Sequence, residues 1–181
     1  MIETIPSSRS ERPSLFRFSA FFTLLFVAFL ATAFKPISVK PSRAEDAEIM
    51  QFRTEVIGYA QNFLGLRYRS AGRSPKTGFD CSGFTNYILN EFGVKVSTAS
   101  SSQSRQGLKV SLNDVLPGDL VFFGGRGRIQ HVAMVVEKTA AGIFCVHSTC
   151  TRGIVVENIS TSKYWKPKIL FARDVITGQA G

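Results

Sequence analysis

Gly78-Phe79-Asp80-Cys81-Ser82-Gly83-Phe84 runs from a turn directly into a stretch where Phe84, Tyr87, Ile88 and Phe92 share one face. That spacing predicts a helix over about residues 81–92, with Asp80 as its N-cap and Gly93 as its stop. The cysteine then opens a helix, where the positive end of the backbone dipole favours its thiolate. Upstream, Ile49, Phe52, Val56, Tyr59, Ala60, Phe63 and Leu64 recur at helical spacing and Gly65 closes the segment. Residues 66–78 form a loop rich in Gly, Arg, Ser and Pro, and 97–106 a polar, serine-rich stretch with room for one helical turn.

Beyond that point the apolar period changes from 3.6 to 2. Leu116-Pro117-Gly118-Asp119 is a turn, 120–123 a short apolar strand and 124–127 a flexible glycine-rich loop. Residues 131–136 and 143–147 read as strands joined by a turn through Ala140, Ala141 and Gly142; 153–158 and 170–175 continue the sheet. Helices first and antiparallel strands after predict an α+β domain, its N-terminal helices packed on one face of a mostly antiparallel five- to six-stranded sheet. The glycines at 124–127 lack a following Lys-Ser/Thr and open no helix, which argues against a phosphate loop.

The folded part is expected at residues 48–178. Phe18 to Phe34 carries no charge, Arg9, Arg12 and Arg17 precede it, and Ala31-Thr32-Ala33 offers a small-x-small site. Residues 1–34 thus read as a secretory signal peptide, with an uncleaved membrane anchor as the alternative. Residues 35–47, with Pro36 and Pro41 and no periodicity, read as a spacer. The formal charge is +9, but six basic and two acidic residues lie in 1–44, leaving 16 basic against 11 acidic and a balance of +5 for the exported part. That suits a polyanionic wall, while the lack of a Lys/Arg stripe with interleaved aromatics argues against nucleic acid. Three cysteines leave at least one unpaired: Cys145 and Cys150 could pair across a short loop, or Cys145 could be a small core side chain.

His131 and His147 are the only histidines. His131 is expected to begin a strand at an edge position, and His147 to end the next strand of the same hairpin. If they share a face, His147 can fix the tautomer of His131, and Cys81 gains a base with an orienting partner. Backbone amides opening the helix would meet a substrate's carbonyl oxygen. A zinc site built from Cys81, His131 and His147 lacks the CxxC or HExxH spacing, so no metal or other cofactor is expected.

The chain resembles the NlpC/P60 cysteine peptidases, papain-like enzymes that cut peptidoglycan stem peptides. Leu64-Gly65-Leu66-Arg67-Tyr68 is similar to the family's Leu-Gly-x-x-Tyr, and 77–84 to its nucleophile motif. Residues 116–123 look like its Pro-Gly-Asp-Leu strand, 131–136 like its His-Val strand, and Val146-His147-Ser148 holds the place of the third polar residue. The resemblance implies Cys81 as nucleophile, His131 as general base and acid, and His147 as orienting residue. It also implies Tyr68 at the oxyanion or substrate, and Asp80 and Ser82 near the amino end of a stem peptide, with helix capping an equal role for Asp80. Departures are Ala71-Gly72 where the family often has Gly-Gly, and Val96-Ser97-Thr98 before Ser100 and Gln103. The expectation is a monomeric, exported peptidoglycan endopeptidase of the periplasm or cell envelope, touching membrane only through an uncleaved N-terminus. A papain-like acyltransferase or amidase and a non-catalytic wall-binding module are the other readings. The bond is either γ-D-glutamyl or D-alanyl to a diamino acid.

Overall fold

The computed structural model describes residues 43–178; the expected signal segment, most of the expected spacer and the last three residues lie outside them. The first helix, α1 (Arg43–Gln61), begins five residues before the expected domain start, inside the stretch read as spacer. Glu45 and Asp46 in its first turn complement the helix dipole, so a segment with no apolar period is helical nonetheless. Gly65 adopts a φ of 82° after the closing turns. A two-residue hairpin of β1 (Arg73–Ser74) and β2 (Gly78–Phe79) leads into α2 (Cys81–Glu91), and the single turn α3 (Ser100–Gln103) follows.

The remaining strands are β3 (Leu108–Val110), β4 (Leu120–Gly125), β5 (Arg128–Thr139), β6 (Gly142–Thr149), β7 (Gly153–Asn158) and β8 (Ile169–Asp174). They form a six-stranded sheet in the order β3-β8-β4-β5-β6-β7, every pair antiparallel. Two expectations need correction. The glycine-rich stretch is a tight turn: Arg126 and Gly127 both have positive φ, 52° and 75°, which matches the twist of a hairpin. The strands therefore run on to Gly125 and Arg128, and a Cβ at Gly124 would lie 1.9 Å from the Arg128 carbonyl oxygen. Accordingly, His131 does not begin an edge strand; it is the fourth residue of β5, an interior strand between β4 and β6.

Period-2 alternation gives the sheet two buried faces. Phe122, Val132, Met134, Val146 and Ile154 pack under α1 and α2 with Val56, Phe84 and Ile88. On the other face Val121, Phe123, Ala133, Val135, Cys145 and Ala172 are covered by Ile159 and Trp165, from the connection between β7 and β8. That connection supplies the second cover, which no periodicity announces.

Arg53 on α1 is wholly buried. One of its terminal nitrogens (Nη1) donates to Pro117 O and Asp119 Oδ1, each at 2.8 Å, and the other (Nη2) pairs with Asp174 Oδ2 at 2.8 Å. One guanidinium thus ties the first helix to the turn before β4 and to the end of β8. Replacing Arg53 by alanine strands the buried Asp119 carboxylate, and such broken pairs cost about 3–5 kcal/mol. Urea unfolding of Arg53→Ala is expected to show that loss; a change under about 1 kcal/mol contradicts the clamp.

Candidate active site

The N-terminus of α2 is fixed from several directions. Asp80, extended at φ −86° and ψ 178°, accepts the Gly83 N–H on Oδ1 at 2.6 Å and the Ser82 hydroxyl at 3.1 Å. The expected cap is therefore present, and it draws Ser82 into itself. Gly72 O accepts the Asp80 N–H at 3.0 Å, and a Cβ at Gly83 would sit 2.1 Å from that same oxygen. The loop backbone and the helix backbone touch directly, as only glycine permits at 83. Gln103, buried, donates to Ser82 O at 3.1 Å and Ser97 O at 2.6 Å and accepts from the Thr85 hydroxyl at 3.1 Å. Ala71 carries a φ of 55°, where the family often has glycine, and Gly72 has no room for a side chain, with Gly78 O 2.3 Å from where its Cβ would be.

Held in this way, the Cys81 thiol feels the backbone N–H groups of Val132, the neighbour of His131 on β5, of Ser82 and of its own residue. These donors favour thiolate. Burial outweighs them and, with the Asp80 carboxylate alongside, pushes the thiol above its ordinary value of 9.0. Burial thus opposes the thiolate preference that the backbone at the helix terminus supplies.

His131 and His147 do share a face. His131 Nε2 lies 2.8 Å from His147 Nδ1, and His147 Nε2 lies 2.8 Å from Glu157 Oε1. Donor inventory then orders the protons. An ionised carboxylate only accepts, so His147 carries its proton on Nε2 and offers Nδ1 as acceptor. His131 must donate from Nε2, which leaves its Nδ1 lone pair as the basic atom. Trp165 stacks on the His131 ring with centroids 4.5 Å apart. Burial, followed by the influence of His147 and Lys168, drives the His131 pKa down to about 3, so both imidazoles rest neutral. His147 is lowered as well, mainly by burial, although Glu157 pulls in the opposite direction.

Glu157 escaped the sequence reading. It also accepts Trp165 Nε1 at 2.8 Å and Arg152 Nη2 at 2.6 Å, all on Oε1. Those partners and His147 hold its pKa below normal despite burial. In the register, Cys145 faces Glu157 and His147 faces Val155, which makes Glu157 the diagonal neighbour of His147 on one face. An acid in a strand otherwise reads as solvent-facing, so the only available signal was its alternation in phase with Val155.

Tyr68 bridges to Phe79, beside the approach to Cys81. Its hydroxyl feels Cys150, Cys81 and Asp80. Burial comes first and these neighbours second in pushing it up to about 12, so the phenol remains a donor. All three cysteines are free, with Cys145 in the core and Cys150 exposed; the contemplated disulfide is not formed. Among the described residues, no group of three His, Cys, Asp or Glu is arranged to hold a metal ion.

A neutral thiol reacts differently from a thiolate held in a preformed ion pair. Iodoacetamide labelling of Cys81, followed by peptide mass mapping to separate it from Cys150, is expected to rise with pH through 9 without levelling off. A plateau between pH 5 and 8 would reveal an ion pair and contradict these shifts.

The NlpC/P60 family profile matches residues 65–174. The γ-DL-glutamyl hydrolase of Bacillus subtilis is 30% identical over 160 residues, covering 86% of this chain and 37% of its own length. The γ-D-glutamyl-L-lysine dipeptidyl-peptidase of Bacillus cereus is 42% identical over 85 residues, covering 45% of this chain and 25% of its own length. A crystallised NlpC/P60 family protein from Bacillus cereus superposes with a TM-score of 0.63 at 32% identity, covering 68% of this chain and 40% of that one. This chain thus spans well under half the length of these relatives. With the cysteine-led helix, the histidine-bearing strands and this profile match in agreement, the chain belongs to the NlpC/P60 family.

Proposed function

We propose that this protein is a cysteine endopeptidase of the cell envelope that cuts peptidoglycan stem peptides through an acyl-thioester on Cys81. The observation that carries this reading is the hydrogen-bonded run His131–His147–Glu157, whose histidines stand on the strands against which the Cys81-led helix packs. Support for the target comes from the relatives, whose names specify γ-glutamyl bonds in two cases and murein DD-endopeptidase in another. The γ-D-glutamyl bond to a diamino acid is the first candidate and the D-alanyl bond of a cross-link the second. No helix among the described residues is long and apolar enough to cross a membrane, and the expected export segment lies outside them.

In this reading Cys81 attacks the amide carbon while its thiol proton moves to His131 Nδ1. The oxyanion takes hydrogen bonds from the Cys81 backbone N–H and from the neutral Tyr68 phenol. Collapse breaks the carbon–nitrogen bond, and the departing amine takes the proton back from His131. Water then attacks the thioester, giving its proton to His131 and restoring the thiol as the new carboxylic acid leaves. His147, held by Glu157, keeps the positive charge on His131 oriented and shared during each transfer. Because the thiol and imidazole begin neutral, proton transfer and attack are coupled, and the site carries no standing charge separation in a buried setting.

Asp80 and Ser82 flank the nucleophile and are engaged in capping through Oδ1 and Oγ. Their contribution to a stem peptide's amino end therefore falls to Asp80 Oδ2, the oxygen not used in the cap.

Digestion of purified cell wall tests the activity. Wild-type protein is expected to release peptide fragments and Cys81→Ala to release none, and fragment masses identify the bond; equal release by both forms defeats the reading. Glu157→Gln can place an amide donor against His147 and disturb the proton order, so kcat is expected to fall by about 10²-fold. KM and the unfolding midpoint should stay near wild type, and a fall in stability with kcat intact would make Glu157 merely structural.

A further inference from the structure

A cavity of about 680 Å³ opens at the tip of the β4–β5 hairpin, walled by Gly124, Gly125, Arg126, Arg128 and Gln130 from the hairpin and by Lys168 from a separate element. None of Cys81, His131, His147 and Glu157 lines it, so it stands apart from the chemistry. Phe123 pairs with Ile169, which brings the 3-10 turn Lys166–Lys168 alongside the end of β4. Every charged side chain in the walls is a cation. Residues 120–136 and 158–172 contain no acidic residue, and they carry Arg126, Arg128, Lys163, Lys166 and Lys168. Those five equal the whole balance of +5 found in residues 45–181.

These cations are left for an outside partner. None of Arg126, Arg128 and Lys168 forms an ion pair among the described residues. Lys168 is held by the Tyr164 ring, with Nζ 3.0 Å from its centroid. Arg126 occupies a left-handed turn position, φ 52°, where asparagine or glycine would sit with less strain, so its cation and not its turn geometry accounts for it. The form of the partner follows from the walls. They come from two separate elements, and a tetrahedral phosphate presents oxygens to both, whereas one guanidinium fork satisfies a flat carboxylate. Lys163 and Lys166, exposed and outside the walls, add charge that a single small anion would not reach and a chain of them would. No aromatic ring lines the cavity for a base to stack on, and no apolar side chain lines it for insertion into a membrane.

We propose that this cavity docks an anionic polymer linked by phosphodiesters, with one phosphate seated between the hairpin arginines and Lys168 and its neighbours along the chain meeting Lys166 and Lys163. The site holds the protein on such a polymer and takes no part in bond cleavage. It does not depend on the peptidase reading, since no residue of the relay contributes to it.

Three variants test it by calorimetric titration of the full chain with poly(glycerol phosphate), with poly-γ-glutamate and inorganic phosphate in parallel. Arg126→Asn with Arg128→Gln removes two cations and suits the turn, so folding is preserved. Gly125 lies outside the left-handed region and has open space where its Cβ would be, so Gly125→Leu fills the cavity and leaves every charge in place. Lys76→Gln with Arg105→Gln removes two exposed cations elsewhere. Saturable binding of poly(glycerol phosphate) is expected, weakened about ten-fold or more by the first two variants and less than about two-fold by the third, with melting temperatures near wild type. Absence of saturable binding overturns the site, as does equal weakening by both charge-removing pairs, which would mean attraction by net charge alone. Full binding by Gly125→Leu overturns the cavity as the seat. Poly-γ-glutamate bound as tightly overturns the phosphodiester assignment, and inorganic phosphate bound as tightly overturns the polymer.

Discussion

The carbonyl oxygen of Gly72 occupies the space that a side chain at residue 83 would fill, and the arrangement of the site depends on that approach. With two backbones in direct contact, α2 can enter the domain at only one depth and angle. Asp80 then closes the helix on Gly83, Gln103 holds Ser82 from behind, and the Ser148 hydroxyl donates to Phe79 O at 2.8 Å from β6. Each of these bonds is ordinary in strength. Together they pin a terminus that would otherwise fray, and the helix that Cys81 opens comes to rest against β5.

The electrostatics follow from burial. A cysteine at a helix N-terminus and a nearby histidine suggest an ion pair, and the donors around the sulfur push in that direction. Removal from water opposes it at both ends, raising the thiol and lowering the imidazole. Burial wins because forming the pair would place two charges in a space walled by Trp165, Phe123 and the sheet, while the neutral forms cost nothing comparable. Glu157 supplies fixed charge at the far end of the relay, with its exposure to Arg152 keeping it ionised. A carboxylate held two rings away can therefore set the proton positions of both.

Much of this was legible in the chain because its causes are local. Asp80 before a cysteine and a 3.6-residue apolar face yields a capped helix, and alternation from Leu120 onward yields strands. The cysteine and both histidines stand out by scarcity. What escaped depends on distance in sequence. Arg53 reads as a surface residue of a helix until Asp119 and Asp174 arrive from elsewhere to surround it. Trp165 covers the second face of the sheet from a connection with no period. Arg126 looked like part of a loose loop because its positive φ is a strain that residue type alone does not announce. Arg43 to Ala47 joined α1 without an apolar pattern, since an exposed first turn needs only good helix formers and acidic residues.

The strand order also sets a schedule for assembly. β4 to β7 form a meander whose turns span only 126–127, 140–141 and 150–152, so His131, His147 and Glu157 can be gathered by short-range closures. β8 must return past the β7 connection to pair with β4, and Cys81 must be delivered from a helix some fifty residues before Val132. Closures of that span carry a larger entropy cost and belong to late stages of folding. The relay and the thiol are thus products of different folding events: a chain stopped halfway carries the imidazoles in order and the sulfur unplaced.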